Sequence, residues 1–527
     1  MERDRSSVGS GGATSRNSRG SRTSSPGATM TNKDITARKL HPTNPRTGES
    51  AGTVPVTPVE SIEDVVKSSR SAFEKWGSMT HKERRPHLKA MLKTTLKNQD
   101  RIADVLVSET GKSKSLAHLE VIAALTAIDL YSRKAGKMLR RRKGSSWPMV
   151  GTKGWTEYHP LGVAAVITPW NYPFYLSMLS TIQAIAAGCT VVLKPSEVTP
   201  LSGELVARLA MEAGLPNGVI QVVHGAADVG AALVGSDVDV IAFTGSTAAG
   251  KKIAAAAAKT LTPVILELGG KDAMIVLDDA NVKRAAIGAV AISMLNAGQT
   301  CVAVERVYVM DGIYDEFLAQ TEALMRKLSI DTGTASDVGP FISPDQQDIV
   351  SSQVNDALAK GAKVVVGGES HTTKHGSWYT PTLLTDVDHT MTVMRDETFG
   401  PVLPVMRVSS EEEALALAND STLGLHGSVW SKSKKRAEKV ASQMTTGTVA
   451  INDHGINFFY PTIELSGTGE SGLRGHMGEA GVKNFSIARS ITEARTLPTT
   501  QLLGVKFPFR VSPRRWKLLA KALFWWR

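Results

Sequence analysis

The sequence predicts an α/β protein built on parallel, doubly wound sheets. Between residues 162 and 277, short apolar runs of strand length alternate with longer segments whose apolar residues recur at helical spacing. This alternation is typical of βαβ units. A second alternation of the same kind extends from about residue 270 to residue 451. With 527 residues, the chain is long enough for two or three domains and a sizeable core.

The bounds of the individual elements follow from the apolar periodicity. Four helices are predicted before the first alternation, at 61–76, 84–98, 100–110 and 115–135. The first alternation predicts strands at 162–167, 190–193, 219–223, 240–243, 264–266 and 273–277, with helices at 175–187, 202–213, 227–234 and 247–259. The second predicts helices at 284–295, 313–328, 346–360 and 411–419, with strands at 306–309, 364–366, 402–408 and 447–451.

The composition indicates an ordinary globular protein, with 42% hydrophobic and 21% charged residues. Two cysteines in 527 residues provide no disulfide framework, which favours a reducing compartment. No apolar run was expected to reach the length that spans a bilayer, and the N-terminus lacks a signal-peptide core. We therefore expect a cytoplasmic protein.

The net charge of +11 is concentrated at the two ends of the chain. Residues 1–30 carry +3 and residues 498–527 carry +7, which leaves +1 for the residues between them. A basic nucleic-acid-binding face on the folded body is therefore not expected. Residues 1–30, rich in Ser, Gly and Arg, should be disordered; they are either an interaction tail or sequence upstream of an alternative start at Met30.

The C-terminal segment 498–527 mixes basic residues with leucines and aromatics. It is too short to span a membrane. As a helix it could lie at an anionic lipid interface, with its tryptophans at headgroup depth. Alternatively, it packs on the surface of its own or a neighbouring subunit, with lysine and arginine stems covering apolar area.

Cys301 closes the stretch Asn-Ala-Gly-Gln-Thr-Cys at 296–301, between a predicted helix and a predicted strand. A cysteine with small and polar neighbours at such a junction is a candidate for an accessible thiolate. A lone cysteine can equally be a buried small hydrophobe.

Three polar segments each follow a predicted strand, at 168–171, 194–197 and 245–250. The carboxyl ends of parallel strands meet at one edge of a sheet, so we expect these segments to share one crevice. No Gly-x-Gly-x-x-Gly follows the first strand. Gly245 to Gly250 instead opens a predicted helix, whose N-terminal N–H groups suit a pyrophosphate.

Six motifs in this order resemble the aldehyde dehydrogenase superfamily. They are Thr-Pro-Trp-Asn-Tyr-Pro-Phe at 168–174, Lys-Pro-Ser-Glu at 194–197, Phe-Thr-Gly-Ser-Thr at 243–247, Leu-Glu-Leu-Gly-Gly-Lys at 266–271, the cysteine stretch and Glu-Thr-Phe-Gly-Pro at 397–401. The resemblance covers roughly residues 40–490. It implies a Rossmann-type cofactor domain (31–140 and 160–266), an α/β catalytic domain (267–465) and a small β oligomerisation element (141–159 and 485–497). That element pairs subunits in the family, so a homodimer or homotetramer is implied.

The resemblance also implies a chemistry for three residues. Cys301 matches the nucleophile that forms a thiohemiacetal with the aldehyde, and hydride transfer then leaves a thioester. The Asn171 carboxamide, with the backbone N–H of the cysteine, matches the donors that stabilise the oxyanion. Glu267 matches the general base that activates water to hydrolyse the thioester.

The implied cofactor is NAD, with NADP possible. Ser246 and Trp170 match residues that flank the phosphates, Lys194 the contact to the adenine ribose, and Glu397 with Phe399 the pair that positions the nicotinamide ribose and ring. Glu197 would face the ribose 2′-hydroxyl and repel a 2′-phosphate, which favours NAD. The full set assigned to the cofactor is Ile167, Trp170, Lys194, Glu197, Gly225, Gly245, Ser246, Gly250, Leu268, Glu397 and Phe399. No metal ligand is assigned.

Two departures from the family pattern concern the substrate. Residues 464–472 replace the usual Pro-Phe-Gly-Gly-x-Lys-x-Ser-Gly loop near the substrate mouth. Leu179 stands where succinate-semialdehyde enzymes often carry an arginine, which favours an apolar or aromatic aldehyde. The alternatives are a semialdehyde or coenzyme-A-acylating dehydrogenase, a thioester hydrolase without redox chemistry, and a non-catalytic, membrane-associated protein that retains the fold.

Overall fold

The computed structural model describes residues 38–145, 152–330, 337–343, 345–455, 457, 460–494 and 512–525. Its described residues from Lys39 onward group as one compact unit. The expected disorder of residues 1–30 falls outside the described residues. The α/β class is confirmed by two large, mostly parallel sheets.

The N-terminal part of this unit is mainly helical, as predicted. Its elements are β1 (Lys39–Leu40), β2 (Val54–Pro55), α1 (Ile62–Ser78), α2 (His81–Lys97), α3 (Gln99–Thr110), α4 (Lys114–Met138), β3 (Arg142–Lys143) and β4 (Thr152–Pro160). Thr80 and Glu83 form a reciprocal capping box that fixes the start of α2.

Helix α4 is long and apolar enough to cross a bilayer by length and composition, with a mean hydropathy of 1.2. The expectation that no segment reaches this length was therefore wrong. However, 56% of that stretch is buried inside the protein, and residues such as Val121, Ile128 and Tyr131 belong to its main apolar core. In this structure α4 is a core helix.

The first large sheet comes from the predicted βαβ alternation, except that the strand predicted at 273–277 belongs to the second sheet. Its elements are β5 (Val163–Ile167), α5 (Pro173–Ala187), β6 (Thr190–Lys194), α6 (Pro200–Glu212), β7 (Ile220–Val222), α7 (Ala227–Gly235), β8 (Val240–Thr244), α8 (Thr247–Ala257) and β9 (Val264–Glu267). Helices cover both faces, so β5, β6 and β8 are buried throughout and read as continuous apolar runs. Helix α5 starts two residues earlier than predicted because Pro173, with its fixed φ, suits the first helical turn.

The second large sheet lies in the following part of the chain. Its elements and neighbours are β10 (Ala273–Val276), α9 (Val282–Met294), β11 (Arg306–Met310), α10 (Asp311–Met325), α11 (Asp345–Ala359), β12 (Lys363–Val366), β13 (Ser370–Thr372), β14 (Ser377–Tyr379), β15 (Thr382–Thr385), α12 (Thr392–Arg395), β16 (Val402–Val408), α13 (Glu411–Asn419), β17 (Leu423–Gly424), β18 (His426–Trp430), α14 (Lys434–Ala441) and β19 (Thr448–Ile451). The strand order is β12-β15-β16-β11-β10-β18-β19, and only the β12–β15 pairing is antiparallel. Apolar clusters fill both faces of this sheet.

The chain then returns to the first sheet and builds a third one. The remaining elements are β20 (Thr468–Gly469), β21 (Gly472–Leu473), α15 (Gly478–Lys483), β22 (Ser486–Ala494) and α16 (Pro513–Phe524). Strand β21 pairs antiparallel with β9 and completes the order β21-β9-β8-β5-β6-β7; no sequence pattern predicted it. Strand β22 pairs with β4 over nine residues, and β3 extends the other side of β4.

The assignment of these sheets to a cofactor domain, a catalytic domain and an oligomerisation element stays a prediction. The C-terminal helix α16 is capped by Ser512 and begins with Pro513. Trp516, Leu518 and Phe524 are all exposed on it. Most described side chains of α16 are exposed, and Leu523 is half-buried.

Candidate active site

A cleft of about 780 Å³ opens beyond the carboxyl ends of β5, β6, β8 and β9. Segments 168–171 and 194–197 and residues Gly245 and Ser246 line one side, as the strand order predicts. Glu397 and Phe399, which precede β16, line the facing side together with Cys301. The cleft is within the size range of cofactor sites.

Cys301 sits at the end of a strained turn that follows α9. Asn296 and Ala297 have φ of 55° and 58°, and Gly298 has φ of 73°. A left-handed conformation is costly for residues with a Cβ. Side chains hold it in place, since the Gln299 Nε2 donates to the Asn296 carbonyl at 2.8 Å and its Oε1 accepts the Ile342 N–H at 2.9 Å.

Asn171 is anchored against the same turn. Its side-chain Nδ2 donates to the Gln299 carbonyl at 3.1 Å, and its backbone carbonyl accepts from Asn296 Nδ2 at 3.1 Å. The hydroxyls of Tyr172 and Thr300 are 2.9 Å apart and make a third link. The carboxamide is thus held beside the cysteine turn, and both Asn171 and Cys301 line the cleft.

A buried ion pair between Lys112 and Glu120 holds the backbone of Asn171 in place. The sequence did not predict this pair. Lys112 Nζ donates to Glu120 Oε2 at 2.7 Å and to the Asn171 carbonyl at 3.0 Å. The other oxygen of Glu120 accepts the N–H groups of Phe174 and Tyr175, at the start of α5. Both charged side chains are essentially inaccessible. A lysine and a glutamate eight residues apart carry no sequence signal for this role.

Glu267 is the last residue of β9 and is buried. Burial raises the pKa of its carboxyl to about 7, against weaker hydrogen bonds from Cys301 and Thr244 that lower it. Residues 464–472, which depart from the family pattern, support this strand. Gly472 pairs with Glu267, and the Ser471 hydroxyl donates to the Gly269 carbonyl at 2.6 Å. A carboxyl with a pKa near neutrality can exchange protons at physiological pH.

The Cys301 thiol is half-buried rather than freely accessible. Burial raises its pKa well above the usual range, and the neighbouring Glu267 carboxylate raises it further. Desolvation and a nearby negative charge both favour the neutral thiol, so the thiolate expected from the sequence forms when a base takes the proton. Glu267 stands where it can receive the thiol proton.

The chain is similar to known proteins over most of its length. The family model described as "Aldehyde dehydrogenase family" matches residues 32–491. The chain belongs to the aldehyde dehydrogenase family. It is 39% identical to 4,4'-diapolycopene aldehyde oxidase of Methylomonas sp over 86% of each chain. It is 36% identical to the mitochondrial succinate-semialdehyde dehydrogenase of Arabidopsis thaliana over 83% of each chain.

A solved structure shows the same fold. Betaine aldehyde dehydrogenase from Staphylococcus aureus, in complex with NAD+, matches with a TM-score of 0.83 and 31% identity, over 88% of this chain and 93% of that one. The predicted fold class and family are thereby confirmed, and the protein is an aldehyde-oxidising enzyme.

Most residues assigned to the cofactor line the cleft of this aldehyde dehydrogenase. They are Ile167, Trp170, Lys194, Glu197, Gly245, Ser246, Leu268, Glu397 and Phe399. Lys194 Nζ lies 3.5 Å from Glu197 Oε2 at the end of β6. The rings of Trp170 and Phe399 meet edge to face, with centroids 5.6 Å apart.

Gly225 and Gly250 do not line the cleft. A Cβ on Gly225 would lie 2.3 Å from Val229, and one on Gly250 would lie 2.5 Å from Leu268. Both glycines therefore permit close packing behind the cleft rather than contact with a ligand. The sequence also missed residues of α7 and α8 that line it, including Ala227, Gly230 and Ile253; small residues at helical spacing were the available signal.

The loop that carries Glu397 and Phe399 is held by a second buried ion pair. Lys271 Nζ donates to Glu305 Oε2 at 2.6 Å, and the two oxygens of Glu305 accept the N–H groups of Thr398 and Phe399, each at 3.0 Å. Glu397 itself accepts the Gly270 N–H at 3.1 Å. Burial raises the pKa of Glu397 to about 8.

A second, narrow space of about 10 Å³ also touches Cys301. It has room for about one water molecule, and its lining residues are Leu176, Leu179, Ser180, Thr244, Glu267, Cys301, Leu465, His476 and Met477. Leu465 lies within residues 464–472, which depart from the family pattern, and His476 and Met477 follow that segment closely. No lysine or arginine of the described chain lines this pocket.

Proposed function

We propose that this enzyme oxidises an apolar aldehyde to the free carboxylic acid with NAD as the oxidant. The observation that supports it most is that Cys301, Glu267 and Asn171 lie together in a cleft of dinucleotide size. The cofactor accepts hydride from the carbon that was the aldehyde carbon.

The acylation half of the reaction rests on Cys301, Glu267 and Asn171. Glu267 takes the thiol proton, and the sulfur adds to the aldehyde carbon. The negative charge that develops on the substrate oxygen is stabilised by the Asn171 Nδ2 and the Cys301 N–H. Because Asn171 is fixed on both its side chain and its backbone, little reorganisation is needed when that charge forms.

The deacylation half rests on Glu267. With a pKa of about 7, a large share of this carboxyl is ionised at neutral pH and can take a proton from water as the water attacks the thioester. Coenzyme-A-acylating relatives typically lack this base, so its presence favours a free acid as product. A thioester hydrolase without redox would leave the cofactor-shaped cleft without a role.

Glu197 supports NAD over NADP. It lies in the cleft beside Lys194, where the pair can bond a ribose diol. A 2′-phosphate would meet the Glu197 carboxylate at close range.

Replacing Glu197 with Gln should therefore improve the use of NADP. Relief of the repulsion by about 1–2 kcal/mol corresponds to about a 5–30-fold gain in kcat/KM for NADP. Initial rates at varied NADP and NAD concentrations measure it, with Asp64→Asn on the surface of α1 as the control. If the ratio of kcat/KM for NADP to that for NAD does not change, another residue determines the cofactor preference.

The pocket supports an apolar substrate. A carboxylate-bearing aldehyde requires a cationic or strongly donating partner for its second end, and Leu176, Leu179 and Met477 offer none. The donors among the described lining residues are the hydroxyls of Ser180 and Thr244 and the ring of His476. Burial lowers the pKa of His476 to about 4, so this ring is uncharged at neutral pH. The name of the relative 4,4'-diapolycopene aldehyde oxidase agrees with this choice, whereas that of the succinate-semialdehyde dehydrogenase supports the alternative.

Leu179→Arg should shift specificity toward succinate semialdehyde. A charge-assisted hydrogen bond contributes about 1.5–3 kcal/mol, which is about a 10–150-fold gain in the ratio of kcat/KM for succinate semialdehyde to that for an aliphatic aldehyde of equal length. Leu179→Met, which keeps an apolar side chain, is the matched control. If the arginine variant folds and the ratio does not move, Leu179 does not contact the distal end of the substrate.

The central test is NADH formation with short, long, aromatic and carboxylated aldehydes, with NADP in parallel and Cys301→Ala as the control. We expect activity with apolar aldehydes, a preference for NAD and no activity in the control. A silent panel, or activity that survives in Cys301→Ala, would favour the other-enzyme or non-catalytic alternatives.

We expect the enzyme to assemble through its third sheet. Strand β22 is an edge of the third sheet, and its Ile487 is exposed, which suits pairing with a second subunit in a homodimer or homotetramer. We expect Ile487→Asp to lower the mass measured by light scattering.

Helix α16 is exposed, apolar on part of its surface and basic through Arg514, Arg515, Lys517 and Lys521. This composition suits peripheral contact of a cytoplasmic enzyme with an anionic bilayer. Deleting residues 498–527 should abolish co-sedimentation with anionic vesicles and leave NADH formation from a short aldehyde unchanged. Equal sedimentation of both forms would contradict the contact.

A further inference from the structure

Three polar side chains from distant parts of the chain meet inside the protein. Asp272 directly precedes β10, His426 is the first residue of β18, and His454 follows β19. Each is at most 1% exposed. One possible metal-ligating atom of each lies within 4.8 Å of those of the other two. None of the three lines the catalytic cleft.

Asp272 Oδ2, His426 Nδ1 and His454 Nε2 have no partner of good hydrogen-bond geometry among the described residues. The backbones of Val302 and Ala303 lie close to the His454 ring. His426 Nδ1 and Asp272 Oδ2 are 3.9 Å apart, which is too far for a hydrogen bond. A buried polar atom without a partner is unfavourable, and three of them close together are placed to share one ligand.

The outward-facing atoms of the same side chains are satisfied. Asp272 Oδ1 accepts the backbone N–H of His426 at 3.0 Å. His426 Nε2 lies 3.2 Å from the Asn457 carboxamide, and His454 Nδ1 lies 2.7 Å from the Ser428 hydroxyl. Asn457 and Ser428 can each present an oxygen that accepts the outer imidazole N–H. Histidines held in this way keep the inner nitrogen lone pair available, as in metal sites.

We propose that Asp272, His426 and His454 bind one divalent transition-metal ion, with Zn²⁺ as the first candidate. Two imidazoles and one carboxylate suit Zn²⁺ and its first-row neighbours, whereas Ca²⁺ and Mg²⁺ prefer ligand sets made of oxygen. Three ligand atoms 4.8 Å apart would have their centre about 2.8 Å from each, against about 2.0–2.1 Å for zinc bonds to nitrogen. Small χ rotations that move each side chain inward close that difference.

The ion would be structural and would support the cysteine segment. It would tie the start of β10 to β18 and to the loop after β19, and these elements surround the chain that carries the nucleophile. Gly270 marks the contact, because a Cβ there would lie 2.6 Å from Asp272 Oδ1 and 2.8 Å from the Cys301 carbonyl. This inference does not depend on the substrate or the cofactor proposed above.

The test measures metal in the full-length protein. After expression with Zn²⁺ and dialysis against metal-free buffer, elemental analysis should find about one ion per chain in the wild type. His454→Gln and Asp272→Asn should lose it. His81→Gln, which alters another histidine whose ring nitrogens are buried, should retain it. Protein loaded with Co²⁺ should show the visible d–d absorption of a low-symmetry site, and His454→Gln should not.

A wild-type protein without metal that also fails to take up Co²⁺ would overturn the proposal and leave water or a shared proton as the partner of the cluster. Metal retained at full stoichiometry in His454→Gln would overturn it as well. Should the variants fail to fold, anomalous diffraction from the wild type at the zinc edge decides, with a peak between Asp272, His426 and His454 expected and its absence contrary to the proposal.

Discussion

Glu267→Gln is expected to stop turnover after the first round of chemistry. The amide cannot take a proton from water, and loss of a general base typically costs about 10²–10⁴-fold in rate. Since Glu267 also stands beside the Cys301 thiol, NADH formation in the first turnover should slow, but it should still approach about one equivalent per active site. Rapid mixing resolves this burst, and intact-mass spectrometry should detect the accumulated acyl-enzyme.

The pH profile gives a separate check on this role. The pKa of Glu267 is raised to about 7 by burial, so the general base is lost as the pH falls below that value. The wild-type kcat should therefore rise with pH through about 7, and this limb should be absent in Glu267→Gln. Glu212→Gln, which removes a surface acid paired with Arg101, should behave like the wild type. Full turnover in Glu267→Gln would assign the base elsewhere.

Lys112→Met is expected to damage both stability and catalysis. The change leaves the Glu120 carboxylate buried without its cation, and breaking a buried pair costs about 3–5 kcal/mol. The Asn171 carbonyl also loses one of its two donors and keeps Asn296 Nδ2, so the carboxamide should be less well placed to stabilise the oxyanion. Denaturant unfolding measures the first effect, and kcat per mole of folded enzyme measures the second.

The double variant Lys112→Met with Glu120→Gln is the matched control. A glutamine keeps an oxygen that can accept the N–H groups at the start of α5 while removing the buried charge, so stability should partly recover. We expect kcat to stay low in the double variant and KM for NAD to change little. If kcat recovers together with stability, the lysine has a purely structural role and does not position Asn171.

Much of the fold could be predicted because βαβ alternation follows from the spacing of apolar residues that are close together in the sequence. The apolar runs that became β5, β6 and β8 are continuous since both faces of those strands are buried, and their helices follow within a few residues of the predicted bounds. Strand β21 could not be predicted in this way. Two residues carry no periodicity, and their pairing with β9 depends on a chain segment about 200 residues away.

The local pattern of the sequence is sufficient to predict the order of the strands along the chain. It also places Asn171 in the segment after a strand, Glu267 at a strand end and Cys301 at a helix-to-strand junction. The acidity of Glu267 and Cys301 depends on the folded structure, because burial raises the pKa of Glu267 to about 7 and raises that of the Cys301 thiol above its usual range. The folded structure also determines which distant residues support them, among them Lys112 and Ser471. The physical reason is that strand and helix periodicity is a property of neighbouring residues, whereas desolvation and charge pairing depend on groups that only the folded chain brings together.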